Sequence, residues 1–187
     1  MRFLVAAGLS GALALTGATV AEATTASVAG GPASAVTQPQ ADVLGNRMDQ
    51  AFLRMGHEGS LFQIAAGRLA VRKGRCSTVR RLGVEIERDF RKMGREVRMV
   101  AERERVLLPR VLPREARVVL RSLAKKSGIT FDRAWLRLQA IAHQHAVTFL
   151  RMEIRSGKSA EVKHLARIGL PKVRYHLKQV RRALRVC

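Results

Sequence analysis

Between Val79 and Val100 the apolar residues Val79, Leu82, Ile86, Phe90, Met93, Val97 and Val100 recur every three or four positions. That period lays them along one stripe of an α-helix. Arg80, Arg81, Arg88, Arg91, Arg95 and Arg98 fill its other faces. Gly74 ends the element before it, and Ser77 or Thr78 offers a cap. Upstream, about Arg47 to Arg72 predicts a first long helix, with Leu61, Ala65 and Leu69 as its buried stripe and interruptions expected at Gly56 and Gly59. The small residues Ala66, Gly67 and Ala70 beside that stripe allow a neighbour to come close. A short helix is expected after Pro113, carrying Val118, Val119, Leu120 and Leu123. A third long helix runs from near Thr130 to Gly157. Phe131, Trp135, Leu138, Ala142, Phe149 and Met152 form one row on it, and Leu136, Ala140, His143, Val147, Leu150 and Ile154 the next. The last segment predicts a short helix from Ser159, then Pro171 starting a final helix lined by Val173, Leu177, Val180 and Leu184.

No alternating strand pattern interrupts this series, and no internal repeat of useful length stands out. Four amphipathic helices with wide apolar faces predict an all-α four-helix bundle. About 23 residues separate the second and third long helices, more than an antiparallel turn needs. The expected fold is therefore a ferritin-like four-helix bundle with a long crossover at that point and short extra helices. The two cysteines bear on the same topology. In an up-down-up-down bundle Cys76, before the second helix, and Cys187, at the end of the chain, would lie more than about 20 Å apart by helix rise alone. A crossover brings both to one end, and a Cys76–Cys187 disulfide is the expectation.

Ahead of the helices stands MRFLVAAGLSGALALTGATVAEA, in which Arg2, an apolar run and then small residues read as an export signal. Cleavage after Ala23 or after Ala35 suits the small-x-small pattern. The expected organisation is a signal peptide over residues 1–35, a disordered linker over 36–45, and a bundle over 46–187. Phe3 to Val20 is nearly long enough to span a membrane, but its Gly, Ser and Thr content favours a removed leader. The expected localisation is exported, in the cell wall, in the periplasm or secreted.

Charge then narrows the partners. The chain of 187 residues carries +21, and residues 1–35 hold one base and one acid, so removing them leaves the charge unchanged. Such a balance attracts polyanions. Outside the membrane these are phospholipid headgroups and anionic wall polymers, and arginine, which outnumbers lysine 27 to 8, suits bidentate phosphate contacts. The candidate polyanion-binding residues are the six arginines named above together with Arg174, Lys178, Arg181, Arg182 and Arg185. Nucleic acid fits the charge but not export, nor an aromatic content of 4%. No nucleophile–base pair, phosphate-cradling glycine loop or Cys-x-x-Cys is present, so no catalytic residue is assigned and the reading leans away from an enzyme.

Four blocks carry a resemblance: Gly59 to Ala70; Asp89-Phe90; Phe131-Asp132 through Leu136 with His143; and Leu170-Pro171 with His176-Leu177. Over residues 48 to 185 the chain resembles a bacterial exported family, the domain of unknown function 4142, grouped with ferritin-like bundles. The resemblance implies that fold and no particular activity. Members usually carry an acid where this chain has Gln63 and a His where it has Phe90, whereas His143 and His176 keep the family's histidines. A dinuclear iron site needs Glu-x-x-His pairs and further carboxylates. Here Ala140 precedes His143 and Val173 precedes His176; only Glu161–His164 has the spacing. A dinuclear iron oxidase is thus disfavoured and no cofactor is the first expectation. The alternative is a reduced metal or redox site for zinc, copper or iron built from His143, His176 and Gln63. Against it stands the expectation that both histidines find ordinary polar partners inside the bundle, with His145 half-exposed on another face. Asp132 is expected to cap its own helix start, and Asp89 to pair with Arg88, Arg91 or Arg174.

Overall fold

The computed structural model describes residues 40–187, with side chains from residue 47. Five helices follow in order: α1 (Gln40–Lys73), α2 (Ser77–Arg103), α3 (Arg114–Ala124), α4 (Gly128–Ser156) and α5 (Ala160–Ala183). No strand occurs among the described residues. The expected leader and its cleavage sites lie outside them. The expected linker overlaps them from residue 40, where α1 has already begun, so the helical domain starts earlier than its apolar periodicity suggests.

Close contacts set the topology. A Cβ on Gly67 would lie 2.7 Å from the Gly83 carbonyl, and one on Gly94 would lie 3.0 Å from Ser60 Cβ; α1 and α2 therefore run antiparallel, nearly backbone to backbone. Trp135 Nε1 donates to the Ala66 carbonyl at 2.9 Å, and Phe52 stacks on Phe149 at 5.2 Å, so α4 also runs against α1. Arg103–Glu161 near one end and Asp89–His176 in the middle set α5 against α2. Helices α2 and α4 thus point the same way. Only a segment as long as the bundle can connect them, and residues 104–127, including α3, do so. Apolar residues from α1, α2, α4 and α5, among them Leu53, Ile86, Trp135, Leu136, Val162 and Val180, form the shared core.

Several expected boundaries are corrected. Helix α1 runs unbroken through Gly56 and Gly59: a glycine inside a helix costs about 1 kcal/mol, which the packing of Phe52, Leu53 and Ala66 outweighs. Its buried stripe is rotated, for Leu61 and Ala65 are only half-buried whereas Ala66, Gly67 and Ala70 face α2. No separate helix follows Ser159. Ala160–Ala183 is one helix with Pro171 inside it. Pro171 is exposed, so water can serve the carbonyl its missing N–H leaves free. Among the described residues α3 is the one short extra helix.

The structure also exposes a repeat that the sequence hides. The hairpin α4–α5 follows α1–α2 with a constant offset of 83 residues: Asp49 matches Asp132, Phe52 matches Trp135, Gly74 matches Gly157 and Cys76 matches Ser159. The contacts obey the same rule. Asp132 accepts from the amides of Arg75 (3.1 Å) and Cys76 (2.7 Å), the two residues leading into α2. Asp49 accepts from the amides of Lys158 (3.0 Å) and Ser159 (3.0 Å), the two residues leading into α5. Each hairpin's turn is gripped by an aspartate on the first helix of the other hairpin. Asp132 therefore caps α2, not its own helix, because α4 begins four residues earlier, at Gly128.

Candidate functional site

The polar residues buried at mid-bundle form one level. Contacts on either side bracket Gln63 opposite Phe90 of α2 and Gln139 of α4. His143 lies one turn beyond Gln139, its ring meeting that of His176 edge to face with centroids 5.5 Å apart. Phe90 packs against both imidazoles at 5.7 and 5.9 Å. Both histidines have no exposed surface, and Gln63 and Gln139 are buried beside them.

Hydrogen bonds fix how each imidazole presents itself. His143 Nδ1 lies 2.9 Å from the Gln139 carbonyl. A carbonyl only accepts, so Nδ1 carries the proton and Nε2 is left as a bare lone pair. His176 Nε2 lies 3.0 Å from Asp89 Oδ2; the carboxylate accepts, and Nδ1 is the free nitrogen. Burial, with the neighbouring His176 second, lowers His143 to about 4. Burial also lowers His176, against the upward pull of Asp89. Both rings are therefore neutral near pH 7. Among the described residues, neither His143 Nε2 nor His176 Nδ1 has a hydrogen-bond partner, nor do Gln63 Oε1 and the Gln139 side-chain amide.

Asp89 is the hub on the α2 side. Beyond His176 it takes Arg88 Nε at 3.0 Å and Lys172 Nζ at 3.2 Å, not Arg91 or Arg174. Burial would raise its pKa, but bonds from Arg88, His176 and Lys172 hold it below the ordinary aspartate value. Glu85, one turn earlier, brings a second carboxylate, and the ligand atoms of Glu85, Asp89 and His176 lie within 4.8 Å of one another. The di-iron pair associated with ferritin-like bundles does not fit. Such a site draws carboxylates from all four helices, whereas among the described residues the acids clustered with His176, Glu85 and Asp89, both come from α2. Glu161 and His164, the one correctly spaced pair, are both exposed at the start of α5, away from this level.

The second candidate feature is a groove of ≈ 470 Å³ between α4 and α5. Its cations are Arg151, Arg174, Lys178, Arg181, Arg182 and Arg185, and among the described residues no acid lines it. Arg181 donates to the neutral Gln144 side chain at 2.7 Å. The arginines of α2 differ. Arg80 donates to the Gly74 and Arg75 carbonyls, Arg88 pairs with Asp89, and Arg91 pairs with Glu87 at 2.6 Å. Half of the expected α2 patch is thus committed internally, while the expected α5 patch faces a groove with no counter-ion among the described residues.

A family model described as "Domain of unknown function (DUF4142)" matches residues 34–183. The chain belongs to this family. No curated protein matches it. Among solved structures, a DUF305 fragment from Deinococcus radiodurans is 19% identical, with a TM-score of 0.66 over 75% of this chain and 97% of that one. At that identity the likeness establishes a shared helical fold and nothing further.

For this DUF4142 chain, sequence reasoning named His143, His176 and Gln63, and the fold brings all three to one level. It missed Gln139, Glu85 and Lys172; for Asp89 it named Arg88, which does pair with it, but not Lys172 or His176. The spacings Glu85–Asp89 and Gln139–His143, each one turn, were the available signals. The expected bridge is present: Cys76 and Cys187 are disulfide-bonded with Cα atoms 6.0 Å apart. His145 is exposed. A further histidine, His57, is buried, and its pKa is lowered by that burial and by nearby Arg98.

Proposed function

We propose that this chain is an exported, strongly basic helical bundle that associates with the anionic cell envelope, without a catalytic step of its own. The observation that carries this reading is the acid-free groove between α4 and α5, where six cationic side chains converge. An unpaired guanidinium keeps its full attraction for phosphate, whereas one already bonded to a carboxylate must break that bond first. The α5 face is therefore the binding face, and the α2 face contributes a diffuse field.

Co-sedimentation with phosphatidylcholine vesicles, with and without phosphatidylglycerol, tests the proposal. Binding is expected only with the anionic lipid and is lost on raising salt from about 0.1 to about 0.5 M. Each cation near such a surface contributes about 1 kcal/mol. The triple change Arg174→Gln, Lys178→Gln and Arg182→Gln should thus weaken binding about 100-fold. Removing equal charge through Arg81→Gln, Arg95→Gln and Arg98→Gln should weaken it far less. Equal losses from the two triples, or retention at high salt, would overturn the reading.

A further inference from the structure

We propose that the middle of the bundle binds one copper(I) ion between His143 Nε2 and His176 Nδ1. This site is separate from the groove and does not depend on it. Its first support is the preparation of the two donors. Each imidazole has one nitrogen tied to an acceptor, Gln139 O for His143 and Asp89 for His176, and the other left bare. Tying the far nitrogen to a carbonyl or carboxylate is how metal-binding histidines are held in one tautomer and made more basic. The second support is that the bare nitrogens have no protein partner among the described residues: both are buried and unsatisfied, as are Gln63 Oε1 and the Gln139 amide at the same level. So many orphaned buried polar atoms at one level are costly unless something occupies the space between them.

The donor set selects the ion. Imidazole suits copper and zinc, and the unpartnered buried atoms at this level, His143 Nε2, His176 Nδ1, Gln63 Oε1 and the Gln139 amide, all belong to neutral groups. Asp89 points its charge at Arg88, Lys172 and His176. The cost of burying an ion grows as the square of its charge, so a monovalent ion costs about one quarter of a divalent one in the same surroundings. The repeat adds a reason for a single ion. The positions matching His143 and His176 in the first hairpin are Ser60 and Met93, so only one half of a two-fold site has imidazoles. The Ser60 hydroxyl is already engaged with the Gly56 carbonyl at 2.8 Å. Phe90 packs against both rings, and neither imidazole has exposed surface.

The experiment is an anaerobic copper(I) titration of the disulfide-intact protein against a chromogenic copper(I) chelator. X-ray absorption of the loaded sample then identifies the donors. One ion per chain with nitrogen donors is expected. His143→Leu and His176→Leu should each abolish retention. Asp89→Asn should weaken it by about 10- to 100-fold, through loss of the carboxylate that positions His176, and Glu85→Gln should leave it unchanged. Circular dichroism and melting confirm that each variant is folded. Should the leucine variants fail to fold, nitrogen NMR of the unaltered protein decides: copper(I) must shift His143 Nε2 and His176 Nδ1 together. Absence of copper(I) binding, or its survival in His143→Leu, overturns the proposal. So does zinc binding that survives His143→Leu and is lost in Glu85→Gln, which would place the metal on Glu85, Asp89 and His176 instead.

Discussion

The two ends of the bundle are built to one plan and differ in chemistry. At one end Asp132 holds the amides entering α2, and Cys76, the residue before that helix, is tied to Cys187 past the end of α5. At the other end Asp49 holds the amides entering α5, and Ser159, the residue before that helix, donates its hydroxyl to Glu104 past the end of α2. Cys76 and Ser159 are equivalent positions of the repeat, and so are Cys187 and Glu104. A covalent bond and a hydrogen bond thus occupy matching places. A second difference lies one turn inside. Where the first hairpin has Ala70, the second has Glu153, fully buried beside Asp49. The plan comes from the backbone repeat, and each end stabilises it by different means.

The largest predicted effect comes from removing the covalent end. The disulfide closes a loop with a sequence separation of 111 residues, for which chain entropy gives about 4 to 5 kcal/mol. Cys76→Ser with Cys187→Ser should lower unfolding free energy by roughly that amount in urea titrations. The swap Cys76→Ser with Cys187→Glu copies the other end and should recover about 1 kcal/mol of the loss. Equal stability of the two double variants would show that the ends are not interchangeable.

Next come the aspartates. Asp132 is fully buried and serves two amides; Asp132→Ala leaves both without an acceptor and should cost about 3 kcal/mol. Asp49→Ala strands the corresponding pair, but it also removes the negative charge beside Glu153. It should therefore cost less than Asp132→Ala, and the gap should widen as pH rises. Parallel urea titrations of the two variants at pH 6 and pH 9 measure that gap.

Glu153 sharpens the contrast through pH. Burial first, and then the adjoining Asp49 carboxylate, push its pKa up to about 8 from the ordinary glutamate value of 4.5. The native state therefore keeps a proton that the unfolded chain releases at lower pH. Its contribution to stability is full below about 4.5 and is lost as pH climbs toward 8. A loss of a few kcal/mol across that window is expected. Glu153→Gln, whose amide can donate to Asp49 at any pH, should flatten the profile. An unchanged slope in Glu153→Gln would remove Glu153 as its source.

What could be read in the sequence follows the same division. Periodic stripes such as Val79 to Val100 revealed the helices, because burial imposes a period that composition does not blur. The separation of the second and third helices and the placement of Cys76 and Cys187 carried the crossover. The repeat stayed hidden because several equivalent positions keep burial without identity, as Phe52 with Trp135 and Gly83 with Ala166, and others, such as Ser60 with His143, differ outright. Asp49 and Asp132 escaped notice for another reason. Each acts on amides from the opposite hairpin, a contact 57 residues away in one case and 109 in the other, which no local spacing announces. The histidines were visible as residue types, but their tautomers depend on Gln139 O and Asp89, and only the packed helices supply those.

The smallest effect tests the hydrogen-bonded end directly. Ser159 is the one N-cap of α2, α3, α4 and α5 whose side chain accepts from its helix, from the Val162 amide at 3.3 Å. The same hydroxyl donates to Glu104, so it joins α5 to the end of α2 while capping α5. Ser159→Ala should cost about 1 kcal/mol. Glu104→Gln keeps an acceptor for the hydroxyl and removes only charge, at an exposed site where screening makes charge count for little; it should cost less than half as much. If Glu104→Gln matches Ser159→Ala, the latch is electrostatic, and its likeness to the disulfide is one of position alone. If the two differ as expected, the hydroxyl supplies at this end, by capping and bridging together, a weak version of the constraint that sulfur supplies at the other.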